Sequence, residues 1–274
     1  MKVVIFAGGW GTRLGQIADR VPKPMVPIGG QSILRHIMNA YAWHGYKDFV
    51  LCLGVKGDAI RAYFENLPAY SRDFTIDLAT GRKTLHGASE PVLDWNVTLA
   101  GTGLNTLKGG RLKKVGRYLD SEHHFLTYGD GLADVDLQAL LAFHKRHGKL
   151  LTITGVHPPS RYGEMEERRG RVTAFAEKAS SSQWINGGYM VFRRGLLDWL
   201  TTDDGCDFEN GVVSELAGHG EVAMYRHVGP WIGMDHEQDV HELERLLADG
   251  RAFWKPWERV KETAAVSASD ERAF

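Results

Sequence analysis

The sequence has no surplus of charge and no long apolar segment. Its 274 residues carry 33 basic and 34 acidic side chains, which gives a formal net charge of -1. This balance argues against a protein that binds nucleic acid through bulk positive charge. No apolar run approaches the roughly 18 residues that cross a bilayer. We therefore expect neither nucleic acid nor a membrane among the partners of this protein.

Cysteine is also scarce. Cys52 and Cys206 are two isolated residues and predict neither a disulfide framework nor a metal site. Cys52 lies in the apolar run 49–53, where a free cysteine packs as a small hydrophobe. A signal peptide is lacking too, because only a short apolar run follows Met1-Lys2 before the first glycines. We expect a cytoplasmic protein.

Strand-like and helix-like segments alternate along the chain, a pattern typical of parallel strands joined by crossover helices. Strands are predicted at 3–7, 49–53, 95–99, 125–128, 150–156, 171–175, 184–192 and 221–227, with a hairpin at 74–86. Helices are predicted at 33–41, 58–66, 109–119, 137–147, 212–217 and 236–247. We predict one α/β domain over 1–257, with a Rossmann-like mixed, mostly parallel sheet flanked by helices and a small C-terminal extension. The polar, alanine-rich tail 258–274 is expected to lack fixed structure.

The most informative stretch is the glycine-rich loop that follows the first strand, Gly8-Gly9-Trp10-Gly11-Thr12-Arg13-Leu14. Backbone N–H groups in such a loop can bind an anion, and Arg13 and Lys23 can neutralise a polyphosphate. A dinucleotide fingerprint is rejected because Leu14 occupies its third glycine position, and the Gly-Lys-Ser/Thr of a phosphate-binding NTPase loop is absent. A plain strand–helix turn would not explain Thr12-Arg13 followed by Pro22-Lys23-Pro24.

That combination resembles the signature of the sugar-1-phosphate nucleotidyltransferases, and the resemblance covers about residues 1–257. Three further elements resemble the glucose-1-phosphate cytidylyltransferase branch: Val97-Thr98-Leu99, Gly109-Gly110-Arg111-Leu112 and Trp184-Ile185-Asn186-Gly187-Gly188. The resemblance implies transfer of CMP from CTP to α-D-glucose 1-phosphate, which gives CDP-glucose and pyrophosphate. Two alternatives stay open: the same chemistry with another NTP, sugar phosphate or phosphonate, and a non-catalytic sensor of nucleotide sugars.

The chemistry assigns roles to the cationic residues. Attack by a phosphate oxygen on the α-phosphorus needs no strong base, so catalysis is charge neutralisation and alignment of two polyanions. Arg13 would hold the leaving β- and γ-phosphates, and Lys23 the α-phosphate. By resemblance to the family's glutamate–lysine pair, Lys178 after Glu177 would engage the sugar phosphate. Arg111 is the predicted base-pocket residue. The predicted nucleotide-binding residues are Gly8, Gly9, Gly11, Thr12, Arg13, Lys23, Gly110 and Arg111.

By resemblance, Asp130 and Asp235 would bind the catalytic Mg²⁺, since Mg²⁺ in proteins is usually held by one or two carboxylates plus phosphates. Each aspartate could instead serve its local backbone, Asp130 in a turn and Asp235 as a helix N-cap. The predicted sugar-phosphate-binding residues are Tyr128, Glu177, Lys178, Asn186 and Gly187. The resemblance also implies a homo-oligomer, a trimer or a hexamer.

The sequence departs from the family pattern at three places on the acceptor side. Ala179 to Ser182 follow Lys178 where the family usually continues with proline. Other departures fall at 208–212 and at 231–233. These changes keep an acceptor other than glucose 1-phosphate open.

Overall fold

A computed structural model describes residues 1–15, 17, 21–70, 73–87, 93–158, 163–176 and 183–258. Glu177 and Lys178 lie outside these residues, as does all but the first residue of the predicted tail 258–274. No helix in the described ranges is long and apolar enough to cross a bilayer.

The centre of the fold is a seven-stranded mixed sheet. Its strands, in chain order, are β1 (Val3–Phe6), β4 (Asp48–Leu53), β7 (Asn96–Gly101), β8 (His123–Tyr128), β10 (Leu151–Val156), β13 (Ile185–Arg193) and β14 (Val222–Arg226). Their order across the sheet is β14-β10-β13-β8-β1-β4-β7. Only β13 runs against its neighbours in this sheet. The predicted mixed, mostly parallel α/β sheet is confirmed.

Six α-helices occur in the described residues: α1 (Ile33–Trp43), α2 (Gly57–Tyr70), α3 (Lys108–Val115), α4 (Leu137–His147), α5 (Ser214–Gly218) and α6 (Glu237–Ala248). Helix α4 matches its prediction because both ends carry local signals. Asp136 accepts from the N–H groups of Gln138 and Ala139, and Gly148 adopts a left-handed conformation at the C-terminal end.

The strands of the main sheet divide the core between its two faces. In β1, Val3 and Ile5 belong to one buried cluster, whereas Val4 and Phe6 belong to the other. Such alternation follows from the two-residue period of a strand. A strand buried on both faces therefore reads as a continuous apolar run, which is why β1 was visible in the sequence.

The described residues also form four small two-stranded sheets. They pair β2 (Pro27–Ile28) with β3 (Gln31–Ser32), β5 (Phe74–Ile76) with β6 (Lys83–Leu85), β9 (Gly131–Ala133) with β15 (Trp231–Gly233), and β11 (Glu164–Arg168) with β12 (Arg171–Ala176). The β5–β6 hairpin was predicted. Strands β2, β3, β9, β11 and β15 were not, because they are only two to five residues long and β11 is also almost wholly polar.

The C-terminal part of the described chain packs back onto its N-terminal part. The N–H of Gly29 donates to both carboxylate oxygens of Glu244 on α6, each at 3.0 Å. Trp254 is fully buried and its indole N–H donates to His36 on α1 at 3.2 Å. These contacts tie the segment that follows Lys23 to the end of the fold.

Candidate active site

The chemistry-bearing residues gather at one edge of the main sheet. Gly8 follows the carboxyl end of β1, and Gly129-Asp130 follow the carboxyl end of the adjacent β8. Asn186 lies at the start of β13, and because β13 is antiparallel its start reaches the same edge. Ligand sites of open α/β sheets form at this edge.

The glycine loop needs its small residues for different reasons. Gly11 has a φ of +65°, a left-handed conformation that lets the chain enter the short 3-10 turn Thr12–Leu14. A Cβ at Gly8 would lie 2.6 Å from the Arg111 guanidinium and from the backbone nitrogen of Gly54. Gly8 is thus required by close packing from behind the loop, which leaves the loop's front face open.

Lys23 is the centre of an ion network. Its Nζ lies 2.6 Å from Oδ2 of Asp130 and 2.6 Å from Oδ1 of Asp235. Arg13 binds the same Asp235 through its two terminal guanidinium nitrogens, at 3.0 and 2.9 Å. Only 12% of the Lys23 side chain is exposed. Two cations near the N-terminus, Arg13 and Lys23, are therefore paired with two carboxylates far along the chain, and the charges alternate in sign through the network.

The backbone around each member fixes this arrangement. Pro22 and Pro24 flank Lys23 in a 3-10 turn in which Met25 N–H donates to the Pro22 carbonyl at 2.7 Å. The N–H of Met234 donates to the Asp130 carbonyl at 2.8 Å, next to the pairing of Gly233 with Gly131. The β9–β15 ladder is therefore what brings the two aspartates together.

Asp235 is anchored and charged. Its N–H donates to Asp239 Oδ2 at 2.9 Å at the start of α6. Burial alone would raise the pKa of the Asp235 carboxyl, but the hydrogen bond and charge of Lys23, with the charge of Arg13, hold that pKa below its ordinary value. The group is an ionised acceptor at neutral pH.

Two carboxylates that converge on one cation form a donor set suited to Mg²⁺. The described residues contain no group of three or more histidine, cysteine or acidic side chains that could hold a metal by themselves. Asp130 and Asp235 therefore fit a metal that takes its remaining ligands from phosphate oxygens and water.

The opposite wall of the site carries a chain of neutral and charged hydrogen bonds. Asn186 Nδ2 donates to the Tyr128 hydroxyl at 2.9 Å, and that hydroxyl donates to Glu209 Oε1 at 2.7 Å. Lys108 Nζ donates to the same Glu209 oxygen at 2.5 Å and lies 4.8 Å from the centre of the Tyr128 ring. Burial and then the charge of Glu209 raise the pKa of the Tyr128 hydroxyl well above its ordinary value, so it stays protonated and donates.

Arg111 is buried behind the glycine loop. The residue is 2% exposed, and its guanidinium donates to the carbonyls of Leu53, Gly103 and Leu104 and to the Thr102 hydroxyl at 2.7 to 3.2 Å. The predicted contact of Arg111 with a base stays a prediction. What the geometry establishes is that Arg111 braces the loop 102–104 against β4.

Two cavities open on either side of the loop 8–10. The first, of about 530 Å³, is lined by the following predicted residues: Gly8, Gly9, Gly11, Thr12, Arg13, Lys23, Tyr128, Asp130, Asn186 and Asp235. The second, of about 520 Å³, has Gly8, Gly9 and Arg111 in its wall together with Asp207, Glu209 and Asn210. Gly110 packs against the Asp203 carbonyl and the Thr106 methyl, and Gly187 presents its carbonyl to the Trp231 indole N–H at 2.8 Å.

Several residues of these walls were not among the predicted site residues, and Trp10, Lys108, Glu209 and Trp231 are examples. One signal for Lys108 was present. It is the first residue of α3, whose first turn contains no acidic side chain, and a cation is disfavoured at a helix N-terminus. A lysine at such a position calls for a nearby carboxylate, and Glu209 supplies it.

The chain was compared with known proteins. A family model described as "Nucleotidyl transferase" matches residues 2–232. The glucose-1-phosphate cytidylyltransferase of Salmonella typhimurium is 44% identical over 260 residues, which cover 94% of this chain and 100% of the relative. The probable glucose-1-phosphate cytidylyltransferase of Bacillus subtilis is 37% identical, with 94% and 100% covered.

Solved structures show the same fold at lower identity. HddC from Yersinia pseudotuberculosis, complexed with GMP-PN, superposes with a TM-score of 0.61 at 20% identity and covers 90% of this chain and 99% of its own. A putative glucose-1-phosphate thymidylyltransferase from Bacillus anthracis superposes with a TM-score of 0.60 at 14% identity, with 90% and 94% covered.

Proposed function

This chain belongs to the nucleotidyl transferase family, and from that premise we propose that it transfers CMP from CTP to α-D-glucose 1-phosphate. The products are CDP-glucose and pyrophosphate. The proposal draws on relatives of 44% and 37% identity that match over their full length. The structural observation that best supports the proposal is the Arg13–Asp235–Lys23–Asp130 network beside the glycine loop.

The reaction makes one bond and breaks one. An oxygen of the sugar phosphate attacks the α-phosphorus of CTP, and the bond from that phosphorus to the oxygen bridging to the β-phosphorus breaks. The nucleophile is already an anion, so no side chain has to remove a proton. Lys23 neutralises the charge that develops on the α-phosphate, and Arg13 holds the departing pyrophosphate.

Asp130 and Asp235 would hold Mg²⁺. When bound, the metal would neutralise phosphate charge and orient the triphosphate. The carboxylates also hold Lys23 and Arg13 at the cavity wall before substrate arrives, so the cations need little reorganisation to meet the triphosphate.

The acceptor half of the reaction uses the opposite wall of the first cavity. Tyr128 and Asn186 line it, and their amide and hydroxyl groups suit a sugar that offers several hydroxyls. Lys178 and Glu177 are proposed to engage the sugar phosphate and hydroxyls by resemblance alone.

The proposal is tested by an NTP-by-acceptor panel in which pyrophosphate release is measured. CTP with glucose 1-phosphate is expected to give the highest kcat/KM, and chelation of divalent metal is expected to abolish the release. If CTP gives no pyrophosphate with any hexose 1-phosphate, the proposal is wrong. Higher kcat/KM with another NTP, sugar phosphate or phosphonate would support the same chemistry on a different substrate.

A non-catalytic sensor of nucleotide sugars is the competing function. It would bind CDP-glucose without turnover in either direction, which calorimetry combined with the pyrophosphate assay would detect. The two aspartates proposed to hold Mg²⁺, and Arg13, which is proposed to hold the departing pyrophosphate, favour the enzyme, since a sensor needs neither function. We also propose a homo-oligomeric, cytoplasmic enzyme, and light scattering on the purified protein would determine its assembly.

A further inference from the structure

Glu209 does not line the first cavity, but it contacts two residues that do, Tyr128 and Lys108, and through Tyr128 it is linked to a third, Asn186. One carboxylate oxygen, Oε1, accepts from Tyr128 at 2.7 Å and from Lys108 at 2.5 Å. Tyr128 in turn accepts from Asn186 at 2.9 Å, and Asn186 Oδ1 accepts from the N–H of Gly188 at 2.9 Å. The carboxylate thus fixes which way each donor in this chain points.

The backbone that carries Glu209 is itself fixed. Glu209 is the second residue of a π-helical turn, Phe208–Val213, and the N–H groups of Glu209 and Asn210 donate to the Asp207 carboxylate. Phe208 is fully buried and packs edge-on against Phe6 of β1, with ring centres 6.1 Å apart. The carboxylate therefore has a rigid base from which to set its neighbours.

Packing restrains the Tyr128 ring in addition to the hydrogen bonds of its hydroxyl. Its ring stacks on Phe6 and lies so close to Gly188 that a Cβ there would be 2.7 Å from Cδ2 of the tyrosine. Because the Tyr128 hydroxyl donates its hydrogen to Glu209, the hydroxyl oxygen is left to accept from Asn186. The second amide hydrogen of Asn186 is then available to a ligand in the first cavity.

We propose that Glu209 is a positioning residue for the sugar-phosphate acceptor, which it orients through Tyr128 and Asn186. The proposal rests on the nucleotidyl transfer proposed above. The acceptor is chosen over the nucleotide because Tyr128 and Asn186 are predicted sugar-phosphate-binding residues that line the first cavity, and neither lines the second.

The test compares the KM for glucose 1-phosphate with the KM for CTP in purified variants. Glu209→Ala is expected to raise the KM for glucose 1-phosphate about tenfold and to leave the KM for CTP within about twofold. Glu209→Gln keeps an oxygen that accepts from Tyr128, so it is expected to restore most of the acceptor affinity. Glu215→Ala, an exposed glutamate on the following helix α5, is the matched control and is expected to resemble the wild type.

A double-mutant cycle tests whether Glu209 acts on the acceptor through Tyr128. Tyr128→Phe is expected to raise the acceptor KM as Glu209→Ala does, and the double variant is expected to be no worse than either single one. Additive effects, a rise confined to the KM for CTP, or reproduction of the Glu209→Ala effect by Lys108→Met but not by Tyr128→Phe would each overturn the proposal. A wild-type protein without turnover would instead refute the proposed function, so the two failures are distinct.

Discussion

At the scale of single residues, Lys23 is the side chain on which the charges of the site converge. It contacts two carboxylates and is largely buried, which is an unusual environment for a loop lysine. A lysine that only served solubility would extend into solvent. Its position instead matches a group that must be neutralised until a phosphate arrives.

We expect Lys23→Ala to lower kcat at least a hundredfold while the KM for glucose 1-phosphate changes little, because the ammonium acts on charge that develops in the transition state. Steady-state kinetics with both substrates varied would measure the two constants. Lys47→Ala is the control, since Lys47 pairs with Asp94 at an exposed site. An unchanged kcat would contradict the assigned role.

Arg111 yields a different prediction, because its donors are used inside the protein. Arg111→Leu removes the donor to the part-buried carbonyls of Gly103 and Leu104, so we expect the free energy of unfolding to fall by about 3 kcal/mol. Urea unfolding of the two proteins would measure the loss. A variant as stable as the wild type but with a raised KM for CTP would show instead that the guanidinium serves the base, as the sequence suggested.

Some site residues could be predicted from a local sequence motif, whereas others are brought together only by the fold. Arg13 and Lys23 stand in a local motif with a physical rationale, so the sequence could nominate them. Nothing local pairs Asp130 with Asp235, which the β9–β15 ladder brings together, and only the family resemblance linked them. The burial of Arg111 and the hydrogen bonds of Glu209 depend on packing across α3 and the turn 208–213, which no sequence period encodes.

At the scale of elements, strength of pattern decided what could be predicted. Strand β1 and residues 49–53 of β4 are continuous apolar runs because both faces are covered. Strand β11, with sequence Glu-Met-Glu-Glu-Arg, is exposed throughout and carries no apolar alternation. The turn Phe208–Val213 was predicted as helix only from residue 212 onward, because Asn210 and Gly211 interrupt the apolar spacing.

The docking of α6 on the β2–β3 turn gives a prediction with a built-in control. Gly29 and Gly30 both have positive φ, but only at Gly29 would a Cβ meet a neighbour, Leu247 of α6, at 2.0 Å. Gly30→Ala is expected to cost about 1 kcal/mol of backbone strain. Gly29→Ala is expected to cost about 3 kcal/mol, since overpacking adds to the same strain.

Urea unfolding of the two glycine variants side by side would measure the difference. Equal losses would mean that α6 moves aside without cost and that its docking contributes little to the fold.

At the scale of the whole molecule, buried histidines make stability depend on pH. His124 and His144 are fully buried, and burial lowers their pKa values to about 4 and about 3. His144 also contacts the rings of His123 and His147, whose pKa values are lowered as well. Acidification must therefore place positive charge on histidines whose burial opposes protonation.

Because these folded-state pKa values lie below the unfolded value of about 6.5, the unfolded chain binds more protons as the pH falls. We expect full stability above about pH 6.5 and a progressive loss toward pH 4, amounting to about 4 kcal/mol at pH 5 for His124 and His144 together. Thermal unfolding between pH 8 and pH 4.5 would measure this loss. His144→Gln is expected to flatten the profile, whereas His241→Gln, an exposed residue of α6, is not; identical profiles would contradict the assignment.

The position of β13 has a consequence for how the protein is synthesised. This strand lies between β8 and β10, yet it leaves the ribosome after both. A nascent chain that has not reached residue 185 presents two apolar strand edges, which invite association with other chains. Asp235 is added 212 positions after Lys23, and Trp254 later still. The sheet and the ion network are thus both completed late in translation.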